Sequence, residues 1–134
     1  MGIGGEENAS QTPKAKKGKI ESVYPWGKTW PPPRGAGNYC GEESGIGVNP
    51  GNSWTVIEGY RDGAPRTSVA GQYEANEHGV FDLGGNVWEW CFDEYELGGA
   101  WERRVLRGAS WFSGFPGDLL SSSRRYDMPT NRYA

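Results

Sequence analysis

At 134 residues, with 22 glycines, 9 prolines and a hydrophobic fraction of 35%, the chain has room for one turn-rich domain around one core. A formal net charge of -3 without a basic stripe argues against a nucleic-acid partner, and no apolar run approaches the roughly 18 residues needed to cross a bilayer, so no membrane is expected. Seven tryptophans among few aliphatic residues predict a core filled by a small number of large rings.

Residues 1–18 are rich in Gly, Glu, Ser and Lys, with Lys14, Lys16 and Lys17 close together. They read as a flexible arm or loop ahead of a domain covering 19–134. The opening carries neither the basic nor the apolar region of a signal peptide. Order is expected to resume between Ile20 and Val23. Tyr24-Pro25-Trp26-Gly27 and Trp30-Pro31-Pro32-Pro33 then form a segment that cannot be helical, because proline lacks the amide proton and its ring clashes with the preceding turn. Proline beside tryptophan is expected to pack on its own domain rather than to serve as a ligand for another.

Gly35 to Cys40 leads into a polar loop and a short strand predicted over 54–57. Gly59-Tyr60-Arg61-Asp62-Gly63 is a turn signal, and a further short strand is predicted over 68–73. Asn38 and Asp62 each sit in a turn. They are either ordinary turn formers or two donors that meet around a cation. His78 has no catalytic companion in the sequence and reads as a loop residue.

The most informative stretch is 79–90, Gly-Val-Phe-Asp-Leu-Gly-Gly-Asn-Val-Trp-Glu-Trp. Gly84-Gly85-Asn86 tolerates positive φ, so the backbone can turn tightly and aim carbonyl oxygens inward. A strand is predicted over 87–92, with Trp88, Trp90 and Phe92 on one face and Val87, Glu89 and Cys91 on the other. Asp82 and Glu89 flank the turn. That arrangement is either a cage for a hard cation such as calcium or a hairpin whose acids face water. Beyond it lie an acidic loop with Gly98-Gly99, a strand predicted over 104–111, a glycine-containing loop over 112–118, and a polar tail without a closing strand.

Cys40 and Cys91 are too few to staple the domain, although a disulfide between them is one option. Zinc takes three or four nitrogen and sulfur ligands, and the chain offers only these two and His78, without a CxxC pair, so zinc is not expected.

The run Asp82-Leu-Gly-Gly-Asn-Val-Trp-Glu-Trp90, followed by Arg104-Val-Leu-Arg-Gly-Ala-Ser-Trp111 and preceded by Tyr24-Pro25-Trp26-Gly27 and Asn38-Tyr39, resembles the formylglycine-generating enzyme, or sulfatase-modifying factor, family. These landmarks stand in family order from about residue 23 onward. The resemblance implies an α+β fold that is a variant of the C-type-lectin fold, with short mixed strands, few helices and much irregular chain. It also implies two calcium sites: one from Asn38, the Tyr39 carbonyl, Asp62 and the Ala64 carbonyl, the other from Asp82, the Gly85 and Val87 carbonyls, and Glu89. Calcium is the expected cofactor, since oxygen-only donors suit a hard ion. Against the family an upstream helix and a closing Gly-Phe-Arg strand are not found, which leads to the expectation of a fragment or of a partner chain that completes the fold.

Oxidases of this family hold copper through two cysteines shortly after the Gly-Ser-aromatic turn. Here those places fall at Ser113 and Asp118, give or take a residue. A hydroxyl and a carboxylate cannot replace the soft thiolates that hold Cu(I). The leading reading is therefore a non-catalytic, calcium-stabilised module that binds a peptide, glycan or protein through Trp111, Phe112, Phe115, Arg124, Arg125 and Tyr126; the bland reading of these six is core and rim packing. Two alternatives stay open. One is a fragment or accessory part of a formylglycine-generating or related thiol-oxidising metalloenzyme, such as the iron-dependent sulfoxide synthases. The other is the variable binding protein of a diversity-generating retroelement, some of which use this fold and diversify the segment after Arg-Gly-X-Ser-Trp.

Overall fold

The structure is a computed structural model and describes residues 20–45, 55–76, 78–96 and 102–131. The expected arm over 1–18, Gly98-Gly99 and Trp54 lie outside these residues. Most of the described chain is irregular, around one small antiparallel sheet in the order β1-β2-β3. Its strands are β1 (Glu89–Glu94), β2 (Arg104–Arg107) and β3 (Arg125–Asp127). A single helical turn, α1 (Pro116–Leu119), and a 3-10 turn over Glu42–Ser44 complete the regular elements. Pro116 starts α1, where its fixed φ is already helical and its missing amide proton costs nothing. In coarse terms this is the α+β composition expected.

β1 pairs with β2 through Glu89↔Arg107 and Trp90↔Leu106, then slips before Glu94↔Arg104. Two extra residues on β1 therefore form a bulge, which bends and twists the strand. β2 pairs with β3 through Arg104↔Asp127, Val105↔Tyr126 and Leu106↔Arg125.

Element boundaries differ from those expected in ways that follow from backbone conformation. The central strand begins at Glu89 rather than Val87 because Asn86 is left-handed, at φ 63. β2 stops at Arg107 instead of Trp111, since Gly108 (φ 89) and Ala109 (φ 65) turn the chain away. The short strands predicted over 54–57 and 68–73 do not form in the described residues: 55–57 is irregular, and a turn closes at Gly71 with φ 76. The expected loop over 112–118 contains the start of α1.

What replaces long strands is backbone pairing between irregular segments far apart in sequence. The Ile57 N–H donates to the Cys40 carbonyl at 2.8 Å, and the Cys40 N–H donates to the Ser113 carbonyl at 3.1 Å. Cys40 thus sits between two segments, and buried amides are satisfied without a regular sheet.

The core is built from tyrosines more than tryptophans. Tyr24, Tyr39, Ile57, Tyr60, Ala109 and Leu119 form the buried cluster, with Trp26, Trp88, Ala36 and Leu120 packed against it. Tyr24 stacks on Trp26 with ring centroids 4.8 Å apart, and Trp26 meets Tyr39 edge-on at 5.2 Å. The described tryptophans stand at the edge: Trp30 is 41% and Trp90 51% exposed. Indole is too large for this thin core and needs a partner for its N–H, as Trp26 finds in the Thr29 carbonyl at 2.9 Å. Of the expected Trp88, Trp90, Phe92 face, Trp88 packs against the core while Trp90 and Phe92 lie on the surface, Phe92 94% exposed.

Candidate functional site

The central motif lies where three segments cross. The Gly85 N–H donates to the Gly108 carbonyl at 2.7 Å, the Asn86 N–H to the Asn38 carbonyl at 2.7 Å, and the Trp111 N–H to the Asn86 carbonyl at 2.9 Å. Gly85 has φ +87, and a Cβ there would lie 2.5 Å from the Asn38 carbonyl oxygen. Only glycine allows so close an approach in that conformation.

Asn38 is fully buried. Its amide group donates to the Arg66 carbonyl at 2.7 Å and lies 3.3 Å from both Ser68 Oγ and Asn86 Oδ1. Its Oδ1 is buried with no hydrogen-bond partner. Next to it Asp62 accepts from the Tyr39 N–H at 2.9 Å and from the Ala64 N–H at 2.8 Å. The structure therefore brings Asn38, Tyr39, Asp62 and Ala64 together. Burial pushes the Asp62 carboxyl up to about 6, against the pull of those two donors, and the neighbouring Glu43 carboxylate adds to the rise.

Glu43 went unnoticed in the sequence. Its Oε1 accepts the N–H groups of Asp62 and Gly63, the latter at 2.6 Å. Burial raises its pKa, but the backbone donors outweigh burial and hold it below the usual range. Its Oε2, like Asn38 Oδ1, is buried without a partner. An acid in a polar loop carries no local mark of such a role, because its partners lie about twenty residues on.

At the second expected site Asp82 adopts φ 49, and its Oδ2 accepts the Gly71 N–H at 2.5 Å. Gly85 is buried, Val87 is 53% exposed, and Glu89 opens β1 as an exposed residue opposite Arg107. Among the described residues no three His, Cys, Asp or Glu side chains cluster closely enough to hold a metal. A cation at either place would draw on a mixture of carboxylate, carbonyl and amide oxygens, donors that calcium takes. The buried, unpartnered Asn38 Oδ1, with the half-buried Asp62 carboxylate bonded to the neighbouring Tyr39 N–H, fits such an ion.

Ser113 is buried, and its Oγ accepts the Ser110 N–H at 3.2 Å and stands 3.5 Å from Ser110 Oγ. Asp118, on α1, accepts from Arg125 Nη2 at 2.8 and 2.7 Å. Cys40 is buried in the core and Cys91 is half-buried on β1; both are free thiols, and burial raises the pKa of each. Neither Ser113 nor Asp118, the places expected from the family resemblance to match the oxidases' cysteines, offers sulfur.

Of the six residues expected to contact a ligand, Phe115 is 62% and Tyr126 44% exposed. Trp111 meets Phe112 edge-on at 5.3 Å. Arg125, besides its carboxylate partner, lies over the Trp88 ring at 5.4 Å. Arg124 differs: it is buried, and its guanidinium donates to the Tyr95 and Glu94 carbonyls at 2.9 and 3.0 Å. It ties the turn before β3 to the end of β1, with those donors engaged inside the fold.

The profile of the sulfatase-modifying factor enzyme 1-like domain matches residues 8–133. The chain belongs to this family. An inactive C-alpha-formylglycine-generating enzyme 2 from Bos taurus is 32% identical over 118 residues, covering 82% of this chain and 33% of its own length. The protein of the same name from Mus musculus is also 32% identical over 118 residues, which is 82% of this chain and 32% of that protein. The chaperone protein LppX of Paenibacillus barcinonensis is 32% identical over 77 residues, 56% of this chain and 26% of its own. The chain thus spans about a third of the length of the first two relatives.

Proposed function

We propose that this family domain is a non-catalytic, ligand-binding module on a calcium-stabilised scaffold of the C-type-lectin-like type. The observation that carries the reading is the chemistry at Ser113 and Asp118. The first is occupied with Ser110, the second with Arg125, and neither supplies a soft ligand. The similar proteins from cattle and mouse are themselves named as inactive.

Calcium would be held by Asn38, Asp62 and the carbonyls of Tyr39 and Ala64, and at a second place by Asp82, Glu89 and the carbonyls of Gly85 and Val87. Bound there it would neutralise the half-buried Asp62 carboxylate and cross-link irregular loops. Ligand contact would fall to the exposed Phe115, Arg125 and Tyr126 and the half-buried rings of Trp111 and Phe112, with the buried Arg124 as their support. The test is a panel of immobilised peptides and glycans, read beside an assay of thiol oxidation with added Cu(I). Ligand binding that Phe115→Ser weakens, without thiol oxidation, supports the proposal. Turnover of a cysteine substrate would overturn it, as would silence across the whole panel.

A further inference from the structure

We propose that Glu43 is the positioning residue of the cation site at Asn38 and Asp62, fixing by backbone bonds the turn that carries Asp62 and the Ala64 carbonyl. The role rests on the calcium binding proposed above. Residues 61–64 belong to no strand or helix, so their backbone must be held by something other than a regular ladder. Glu43, on the 3-10 turn Glu42–Ser44, does this: its Oε1 accepts the N–H groups of Asp62 and Gly63, the second at 2.6 Å. Asp62 in turn accepts the Tyr39 N–H at 2.9 Å and the Ala64 N–H at 2.8 Å. One carboxylate thus holds the backbone from which the other reaches the two residues whose carbonyls would complete the donor set.

Two further observations tie this contact to a cation rather than to packing alone. Asn38, one residue before Tyr39, is fully buried, and its Oδ1 has no hydrogen-bond partner among the described residues. Glu43 Oε2 is likewise buried and unpartnered there, and Gly41 leaves it room, since a Cβ on Gly41 would lie 2.8 Å from that oxygen. A carboxylate with a bare buried oxygen, bonded to the backbone of a second acid, costs the fold stability until positive charge comes near. Glu42, on the same turn, is different: its oxygens are taken by the Gly59 N–H and by Arg61 Nη2, both at 2.8 Å. Calcium affinity follows the charge of a site and the rigidity of its loops. Hydrogen bonds behind the ligands supply that rigidity, and Glu43 supplies both.

The experiment is calorimetric titration of the full chain with calcium chloride, beside melting in excess chelator, for the native sequence, Glu43→Asp, Glu43→Gln and Glu42→Gln. Glu43→Asp keeps the charge but is a methylene too short to hold both N–H groups, whereas Glu43→Gln loses the charge and keeps an oxygen for them. A cooperative melt in chelator shows that each variant folds. The expected result is a calcium Kd raised by about tenfold or more in Glu43→Asp, a smaller rise in Glu43→Gln, and native affinity in Glu42→Gln. Native affinity in Glu43→Asp, with only its chelator melt lowered, overturns the role by making Glu43 a structural contact alone. A loss in Glu43→Gln as large as in Glu43→Asp overturns it by making charge, not position, the cause, and an equal loss in Glu42→Gln does the same. In these cases calcium binding by the native chain still stands; no binding by the native chain overturns that reading and the role of Glu43 together.

Discussion

Arg125 Nη2 donates to both carboxylate oxygens of Asp118, at 2.8 and 2.7 Å, joining β3 to α1. The pair is partly exposed, with 54% and 27% of the two side chains open to water. It is accordingly worth no more than about 1 kcal/mol. Asp118→Asn should leave the fold intact and lower stability by less than about that amount. Titration with Cu(I) should give no copper–thiolate absorption in the native chain, since Cys40 is buried, Cys91 is half-buried and both thiols have raised pKa values. A tight thiolate complex would show that the two cysteines can meet.

Asn86 holds the central turn to the loop before Tyr73. Its Oδ1 accepts the Ser68 N–H at 2.9 Å, its amide donates to the Ser68 carbonyl at 3.2 Å, and its backbone is left-handed at φ 63. Asn86→Ala removes buried hydrogen bonds and places an ordinary residue at positive φ, so about 2 to 4 kcal/mol of stability should be lost. Asn86→Gly keeps the backbone freedom and should lose less. Urea unfolding measures both; equal losses would mean that the conformation contributes nothing.

Two small residues behind the Ser110–Ser113 turn should respond very differently to enlargement. A Cβ on Gly114 would lie 1.6 Å from the Thr55 carbonyl oxygen, a backbone atom that cannot step aside alone. Gly114→Ala should therefore abolish the native melt or lower it severely. Ala109 is fully buried at φ 65. Ala109→Gly relieves about 1 to 2 kcal/mol of left-handed strain. It also loses about 0.8 kcal/mol of buried methyl and frees the unfolded chain by about a further 0.4 to 1 kcal/mol. Near-neutrality is the expected outcome in a thermal melt.

Acidity should affect the calcium-free protein in a direction opposite to ordinary acid denaturation. The Asp62 carboxyl titrates at about 6 in the folded state, because burial disfavours its charge, against roughly 3.9 when unfolded. Between these values the native state holds more protons. Its contribution to stability is therefore complete below about pH 4 and is lost as pH rises through about 6. Glu43, held low by its N–H donors, works the other way at lower pH. In chelator, Asp62→Asn should flatten the fall in melting temperature between pH 4 and 6; an unchanged slope would assign the titration elsewhere.

Much of the central site was readable because it is local. Gly84-Gly85-Asn86 announces its turn by residue type, and Gly85 and Asn86 do adopt positive φ. Arg104-Val-Leu-Arg reads as a strand and folds as one, but its expected continuation to Trp111 is cut short by the positive φ of Gly108 and Ala109. Tyr39 and Asp62 were brought together only through family resemblance. Glu43 was invisible because its partners are fixed by how two irregular loops pack, which no period or spacing records. The same holds for the missing strands near Ile57 and Tyr73: local pattern suggested pairing, yet the backbone of Ile57 bonds to Cys40 singly. The tyrosine-built core escaped notice because composition counts rings without saying which ones fit.

The central claim, a scaffold held by calcium, is tested most directly by thermal unfolding of the full chain in millimolar-range calcium and in excess chelator. Binding to the folded state alone should add roughly 3 to 4 kcal/mol per site at 100 to 1,000 times Kd. Asn38→Ala, which removes the unpartnered oxygen, should abolish part of that shift. The expected result is a large rise in melting temperature with calcium that is reduced in Asn38→Ala. Identical melts in calcium and chelator would contradict calcium binding at Asn38 and Asp62 and at Asp82 and Glu89 alike.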